Sequence, residues 1–194
     1  MKKSPWPPTK TQIQNLSLEA VSVLVDPREQ QPWDLSPMQV ERATLQTGDY
    51  CSACRRFVLE RKNSIDELVS CMTQSRDRFE RELERMQAFE AAVVLVEGTY
   101  QELVNGDYRS KMNKNSAAAT FVSWQQKFWV PIHFVGNRSN AEEYAKRFFH
   151  LQHRRRLSEL LHYYALSFAS ETANPSLGKH ATQTKCSEQP RGNS

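Results

Sequence analysis

Two acidic residues and a lysine lie close together in the first third of the chain, in a pattern that could bind a metal ion and a phosphate. Glu60 and Lys62 are two residues apart in the run 57–62, whose apolar start is typical of a β-strand. Side chains two apart on a strand leave the same face, so these two converge while Arg61 leaves the opposite face. A turn would bring Asp49 to the same pocket.

These residue types suit the hydrolysis of a phosphodiester. Carboxylate oxygens are the ligands that hard cations such as Mg²⁺ or Mn²⁺ prefer, and a bound cation activates water and polarises a phosphoryl oxygen. We expect Asp49 and Glu60 to bind the metal, with Asp26 assisting directly or through water. Lys62 would orient the nucleophile and balance the charge that develops in the transition state.

Three short motifs follow one another within about forty residues, an order that chance rarely produces. They are Asp26-Pro-Arg-Glu29, Gly48-Asp49 and Glu60-Arg-Lys62, with Asp66 four residues further on. In content and order they resemble the nuclease domain of the XPF family of structure-specific endonucleases. The resemblance extends over roughly residues 21–149.

The resemblance implies an α/β fold of the restriction-endonuclease-like kind, with a central mixed β-sheet flanked by helices. It implies an active site composed of Asp26, Glu29, Asp49, Glu60, Arg61, Lys62 and Asp66. It also implies Mg²⁺ or Mn²⁺ as cofactor, branched or forked DNA as substrate in repair or recombination, and a homodimer or heterodimer formed through the nuclease domain. Family members commonly add a tandem helix-hairpin-helix module, which nothing in this sequence fits. Either the chain is a minimal nuclease, or another subunit or domain supplies DNA binding.

Several of these residues also have structural interpretations that the sequence leaves open. Asp66 lies inside a Ser-x-x-Glu capping-box spacing and could simply favour the positive end of a helix dipole. Asp49 could be an ordinary turn residue. Arg28 and Glu29 could pair with each other or with Arg61.

Two basic clusters are candidate DNA contacts. Lys111 and Lys114 lie in a predicted loop, and Arg154, Arg155 and Arg156 lie on the last predicted helix. A run of charge is often only a solvated helix face, and apolar residues on the same helix could instead cover a partner. The net charge of +4 permits nucleic-acid binding without requiring it.

Hydrophobic periodicity predicts alternating strands and helices, hence an α/β sandwich. The predicted strands are 20–26, 39–46, 55–62, 92–97 and 132–135, and the predicted helices are 65–72, 76–89, 100–104, 117–129 and 140–168. On the second helix, Arg76/Glu80 and Arg78/Glu82 pairs would cover the exposed face.

Four cysteines, Cys51, Cys54, Cys71 and Cys186, occur in a sequence without an evident export signal, which favours reduced thiols over disulfides. The Cys51-x-x-Cys54 pair lacks two further ligands nearby, so structural zinc is disfavoured. A turn containing this pair would join the second and third strands.

Composition favours a single globular domain. The 194 residues are 39% hydrophobic and 25% charged, and no apolar run approaches the ~20 residues of a membrane span. We expect a flexible arm at 1–17, a nuclease domain at 18–169 and a disordered tail at 170–194. An intracellular location is expected, in the cytoplasm of a prokaryote or virus-infected cell or in a nucleus, with no membrane partner.

Two other classes of function remain open from the sequence. The same fold could serve as a catalytically silent DNA-binding or scaffold subunit beside an active partner, although the motif acids are intact here, which favours an enzyme. A resolvase or restriction-type nuclease would keep the metal chemistry and act on a different substrate.

Overall fold

A six-stranded mixed sheet forms the centre of the protein. The computed structural model describes the backbone of residues 7–173 and the side chains of residues 7–167. The strands are β1 (Ser22–Val25), β2 (Gln39–Arg42), β3 (Tyr50–Ser52), β4 (Phe57–Lys62), β5 (Ala91–Val96) and β6 (Ile132–Phe134). Their order is β2-β1-β3-β4-β5-β6. The β1–β3 and β3–β4 pairs are antiparallel and the other three are parallel, which confirms the predicted mixed sheet.

Helices cover both faces of this sheet. They are α1 (Lys10–Gln14), a 3-10 turn (Leu18–Ala20), α2 (Ile65–Met72), α3 (Arg76–Met86), α4 (Tyr100–Asn105), α5 (Lys114–Phe128) and α6 (Arg138–Ala173). The apolar faces of α2, α3 and α5 share one core cluster, and α6 packs in the other cluster. No helix in the described ranges is long and apolar enough to cross a lipid bilayer.

The alternation along β4 decides which of its residues meet which helices. Val58 belongs to the core with α2, α3 and α5, whereas Phe57 and Leu59 belong to the core with α6. Because the side-chain period of a strand is two, Glu60 and Lys62 continue the row of Val58. All six residues of β4 are buried, so charged groups at its end are held by the core on both faces.

The predicted second strand, 39–46, is correct only in its first half. β2 is parallel to β1 at one edge of the sheet, and the antiparallel partner of β4 is β3, where the sequence predicted a turn. Tyr50 pairs with Val25 on one side and Leu59 on the other. A strand of three residues is too short to show alternation, and its neighbours fix its register.

The first described residues dock on α6. Within the predicted arm 1–17, α1 begins with a capping box formed by Thr9 and Gln12, and Ile13 is buried. A ring nitrogen of His150 in α6 lies 2.8 Å from the carbonyl oxygen of Leu16. Residues 1–6 and 174–194, which include most of the predicted tail, lie outside the described part, and the predicted domain boundaries stay predictions.

Helix α5 begins three residues before its predicted start at 117. The side chain of Asn113 accepts hydrogen bonds from the backbone N–H groups of Asn115 and Ser116, which is an N-cap arrangement. The sequence predicted that both Lys111 and Lys114 lie in a loop. Lys111 does lie in the loop before α5, but Lys114 is the first residue of the helix.

Candidate active site

The three sequence motifs meet at one edge of the sheet. β1 and β4 end there and β3 begins there, so their flanking residues continue the strand pairing. The backbone N–H of Asp26 donates to the carbonyl oxygen of Asp49 at 2.9 Å, and that of Asp49 donates to the carbonyl oxygen of Leu59 at 3.0 Å. Asp26, Asp49 and Glu60 thus lie at the ends of three adjacent strands, although 34 residues of sequence separate the first from the last.

A cleft of about 400 Å³ opens at this edge. Its walls come from the loop after β1, the turn before β3, the end of β4, and helices α2 and α3. The lining residues are Arg28, Glu29, Gln30, Gln31, Gly48, Asp49, Glu60, Arg61, Lys62, Asn63, Glu67, Arg78 and Glu82. Five carboxylates and four cationic groups therefore surround one small volume.

Glu60 and Lys62 form a buried ion pair, as their predicted shared face requires. The Nζ of Lys62 donates to Oε1 of Glu60 at 2.5 Å, and the two residues are only 5% and 4% exposed. Lys62 Nζ also lies 3.7 Å from Oε1 of Glu67 and 4.8 Å from the ring centroid of Phe79. The ammonium is thus fixed between α2, α3 and the end of β4.

Burial acts on both charges of this pair. It raises the pKa of the Glu60 carboxyl; Lys62 opposes that rise, and the charge of Asp49 adds to it. Burial also disfavours the Lys62 ammonium, but the attraction of Glu60 and other groups outweighs it, so the pKa of Lys62 is raised. Lys62 is therefore protonated throughout the physiological range and acts as a fixed positive charge.

Asp49 completes the acidic side of the cleft. Its Oδ2 accepts a hydrogen bond of 2.8 Å from the backbone N–H of Arg61. Burial raises its pKa to about 6, against the effects of that hydrogen bond and of Lys62, while Glu29 and Glu82 contribute to the rise. At Asp49, burial therefore outweighs the nearby positive charge of Lys62.

The donor set fits a hard divalent cation held mainly by water and two carboxylates. In the part of the chain that the structure describes, no group of three or more His, Cys, Asp or Glu residues is arranged as a metal site. Mg²⁺ commonly keeps several waters and binds proteins through one or two carboxylates. Asp49 and Glu60 both line the cleft and both have raised pKa values, which a nearby cation would lower.

Asp26 does not line the cleft, so its predicted assistance to a metal gains no support from this geometry. Its Oδ1 accepts hydrogen bonds from the backbone N–H and Nε of Arg28 at 2.8 and 2.7 Å, and its Oδ2 accepts one from the backbone N–H of Leu45 at 2.7 Å. The hydrogen bond from Arg28 is the main reason that the pKa of Asp26 falls to about 2. Asp26 anchors two loops behind the acidic row.

Arg61 lies at the centre of a network beneath the opposite face of β4. Its Nε donates to Oε1 of Glu97 at 2.8 Å, and its Nη1 donates to Oε1 of Glu29 at 3.2 Å and to the carbonyl oxygen of Gln31 at 2.7 Å. The guanidinium lies 5.6 Å from the ring centroid of Trp33. Arg61 therefore fixes the loop that carries Glu29, and the sequence analysis did not identify Glu97 or Trp33.

Asp66 and Glu29 differ in their relation to the cleft. Glu29 lines it, and its Oε1 accepts a hydrogen bond of 2.7 Å from the backbone N–H of Gln31. Asp66 does not line it and accepts hydrogen bonds from the backbone N–H and Nε of Arg109 at 2.7 and 3.0 Å. Ser64 caps α2 by accepting from the backbone N–H of Glu67, so the capping interpretation of this segment holds.

None of the predicted DNA-binding residues lines the cleft. Arg154, Arg155 and Arg156 belong to α6, which packs on the sheet face opposite α2 and α3. Lys111 lies in the loop before α5, and Lys114 is the first residue of that helix. The two clusters stay predictions as DNA contacts, and the structure does not place them beside the acids.

Helix α3 holds the turn that carries Asp49, a role that the sequence analysis missed. Oε1 of Glu82 accepts a hydrogen bond of 3.2 Å from the backbone N–H of Gly48, and Nε of Arg85 donates to Oγ1 of Thr47 at 2.9 Å. Gly48 has a φ of +74°, and a Cβ there would lie 2.3 Å from a methyl carbon of Val58. Only glycine permits this close approach.

A spacing in α3 could have revealed this role. Glu82 and Arg85 are three residues apart and lie beside the apolar stripe of Phe79, Leu83 and Met86, so they face the edge of the core. The predicted Arg76–Glu80 pair is confirmed at 2.9 Å between Nε and Oε1. The predicted Arg78–Glu82 pair is not among the ion pairs within residues 7–167; both side chains line the cleft instead.

The fold and this site define a nuclease domain of the restriction-endonuclease-like α/β class. The sequence model of the ERCC4 domain matches residues 25–148, a span that contains every motif residue from Asp26 to Asp66. The chain belongs to the ERCC4 domain family, which confirms the predicted XPF relationship.

Solved structures with the same fold include two of XPF from Aeropyrum pernix. One match has 21% sequence identity and a TM-score of 0.54, and covers 66% of this chain and 65% of that chain. The other, described as a complex with DNA, has 23% identity and a TM-score of 0.56, and covers 70% and 66%. This chain thus matches about two thirds of the length of those structures. No curated protein matches it.

Asp49→Asn should stabilise the metal-free protein at neutral pH. Between the ordinary carboxyl value and about 6, the folded state binds more protons than the unfolded state, so the free energy of unfolding of the wild type falls as pH rises. Asparagine still accepts the hydrogen bond from the Arg61 N–H, and because it does not ionise, it adds no pH dependence to the free energy of unfolding. In thermal melts with chelator, the variant should have the higher Tm near pH 7, with the difference vanishing near pH 4. Asp107→Asn is the exposed control, and an equal Tm at all pH values would contradict the prediction.

Arg61→Lys should destabilise the fold, because one ammonium cannot bond Glu97, Glu29 and the Gln31 carbonyl at once. The Arg61 side chain is 5% exposed. Breaking a buried pair outright costs about 3–5 kcal/mol, and a lysine that keeps only one of the three partners should lose a large part of that amount. Urea unfolding measures this difference. The control is Arg147→Lys in an exposed α6 ion pair, for which a change below about 0.5 kcal/mol is expected. Equal stabilities of the two variants would refute the supporting role of Arg61.

Proposed function

We propose that this chain is a divalent-metal-dependent endodeoxyribonuclease that hydrolyses phosphodiester bonds, with branched or forked DNA of repair or recombination as its substrate. The observation that supports this most strongly is the cleft in which Asp49, Glu60 and Lys62 converge. Two acids and an ammonium around one small volume are what metal-assisted phosphodiester hydrolysis requires. Membership of the ERCC4 domain family agrees with this proposal.

Asp49 and Glu60 would hold Mg²⁺ or Mn²⁺ between them. The bound ion supplies a water of lowered pKa and a polarised phosphoryl oxygen. Lys62, held by Glu60 and Glu67, keeps a fixed positive charge beside the place where negative charge develops. We assign Lys62 to charge stabilisation because its ammonium is held between Glu60 and Glu67 at the cleft.

The other motif residues have supporting roles in this proposal. Arg61 holds Glu29 at the cleft wall through the 3.2 Å contact between Nη1 and Oε1. Asp26 fixes the segment from which Arg28 reaches the cleft mouth. Asp66 attaches the loop before α5 to α2 through Arg109. Each role is one of positioning, and none needs contact with the reacting phosphate.

We also infer that the chain forms a homodimer or heterodimer through this domain and acts on DNA inside the cell. The side chains that support a protein partner are the exposed apolar residues Trp129, Leu151, Tyr163 and Leu166, which are 85%, 57%, 66% and 53% exposed. Three of them lie on α6, beyond the residues Ala141, Ala145 and Phe149 that pack on the sheet. We propose that a protein partner covers this exposed part of α6.

Cleavage assays with fork, flap, junction and linear duplex DNA test the function directly. With Mg²⁺ or Mn²⁺ the full chain should cut forked substrates, and chelator should abolish cutting. Asp49→Asn and Lys62→Met should reduce the rate by roughly 100-fold or more, because each removes a charge that acts on the transition state. Lys62→Met leaves Glu60 buried without its partner and should lower the stability, so both variants are assayed below the melting temperatures that thermal melts give. Arg147→Ala is the control and should cut like the wild type.

The outcomes of these assays separate the classes of function. DNA binding without cutting at any metal concentration would favour the scaffold subunit. Cutting of linear duplex at a fixed sequence would favour a restriction-type nuclease. Wild-type rates for both Asp49→Asn and Lys62→Met would remove the assigned site.

Metal binding should be coupled to proton release. Because the pKa of Asp49 is raised to about 6 and a metal ligand must be ionised, protons compete with the cation. Titration calorimetry with Mn²⁺ in buffers of different ionisation enthalpy should show proton release and an affinity that rises with pH between about pH 5.5 and 7.5. Asp49→Asn should lose the part of this coupling that lies near pH 6, and a wild-type pH dependence in that variant would contradict the ligand role of Asp49.

A further inference from the structure

A groove continues from the acidic cleft along the start of α3. The cleft shares Lys62, Glu67, Arg78 and Glu82 with a neighbouring cavity of about 150 Å³. That cavity shares Ser75 and Arg78 with a third, of about 360 Å³, which is lined by Thr73, Gln74, Ser75, Arg76, Asp77, Arg78 and Arg81. Arg78 lines all three, so the cavities form one continuous surface path.

Two arginines on this path have no partner among residues 7–167. Arg76 is paired with Glu80 and lies over Trp124. In contrast, neither Arg78 nor Arg81 forms an ion pair or a side-chain hydrogen bond within that range, although both are on a helix rich in carboxylates. Exposed guanidinium groups without partners are free to bind an external anion.

The charge of the cleft itself makes a second binding surface necessary. Five carboxylates and four cationic groups line the cleft, so without a metal it carries no excess positive charge. The charges of the cleft alone do not attract a polyanion. Cationic groups beside the cleft must therefore hold the phosphates of the DNA. The third cavity has that character, with three arginines, one aspartate and three neutral polar side chains.

We propose that this groove binds the sugar-phosphate backbone of the DNA strand that continues from the scissile bond, with Arg78 and Arg81 contacting successive phosphates. The identity of the ligand rests on the proposed function. Guanidinium groups bind phosphate oxygens in a forked geometry, and residues three apart on a helix are separated by about 4.5 Å along its axis. The middle cavity, at about 150 Å³, holds one backbone segment and is too small for a base pair.

The position of the groove distinguishes it from the basic clusters that the sequence suggested. Arg155 and Arg156 are both paired with Glu159 on α6, on the other side of the sheet. Arg78 lies in the cleft wall and Arg81 lies one helical turn beyond it. A strand bound by this pair is therefore continuous with a phosphate beside Lys62.

Fluorescence anisotropy with labelled single-stranded and forked DNA tests the groove in the full chain. Binding is measured in chelator and in Ca²⁺, so that no cleavage is needed. Arg78→Ala/Arg81→Ala should raise Kd roughly ten-fold for both DNAs, because two charge-assisted phosphate contacts are lost. Between about 50 and 200 mM salt, the slope of log Kd against log salt should fall by about 1.4 for the single strand.

The control variant removes the same charge elsewhere. Lys146→Ala/Arg147→Ala changes two cationic residues of α6, across the sheet from α3, and should leave Kd within two-fold of the wild type and the slope unchanged. Arg78→Lys/Arg81→Lys keeps the charge and should recover most of the salt slope with a weaker affinity. Thermal melts should show that all three variants fold, since these side chains are not part of the core.

The groove proposal is wrong if Arg78→Ala/Arg81→Ala binds DNA with the Kd and the salt slope of the wild type. It is also wrong if the α6 control loses as much affinity, or if the wild type does not bind DNA. Failure of the proposed function gives a different pattern. A wild type that binds DNA through these arginines and never cuts it with Mn²⁺ leaves the groove and removes the nuclease. If the wild type cuts DNA and Arg78→Ala/Arg81→Ala binds DNA as the wild type does, the nuclease proposal stands and the groove proposal falls.

Discussion

A buried ammonium and carboxylate at the end of β4 are the interaction on which the rest of the site depends. Removing each charge from water costs several kcal/mol, and a close opposite charge recovers only part of it. Glu60 and Lys62 are tolerated because the apolar half of β4 fixes the strand between two cores. An apolar pair of similar size would commonly be no less stable, so stability alone does not account for these charges, which agrees with the proposed catalytic role.

Strand alternation divides the Glu-Arg-Lys motif into a chemical face and a supporting face. Glu60 and Lys62 face α2 and α3, where the acids of the cleft lie. Arg61 faces the other way, and its contacts with Glu97 and Glu29 hold the opposite wall. All three consecutive residues of the motif therefore line the cleft, Glu60 and Lys62 from one face of β4 and Arg61 from the other.

The sequence predicts features that depend on local pattern and misses those that depend on distant contacts. The opposite orientations of Glu60 and Arg61 follow from the period of two, and the structure confirms them. The engagement of Asp26 by Leu45, 19 residues away, has no local signal. The spacing of Glu82 and Arg85 beside the apolar stripe of α3 indicates that they face the edge of the core, but nothing in α3 indicates that Glu82 will meet Gly48, 34 residues away.

Helix α3 connects catalytic geometry with substrate binding. Its apolar stripe is buried in the core that contains Val58, so its polar flank is fixed relative to β4. The same flank holds the Asp49 turn through Glu82 and presents Arg78 to the groove. In the proposed mechanism this rigid helix would both position a metal ligand and bind the adjacent phosphate, and it would set the distance between them without a conformational change. Pre-organisation of this kind lowers the entropic barrier to reaction, because the scissile phosphate is oriented as soon as its neighbour is bound.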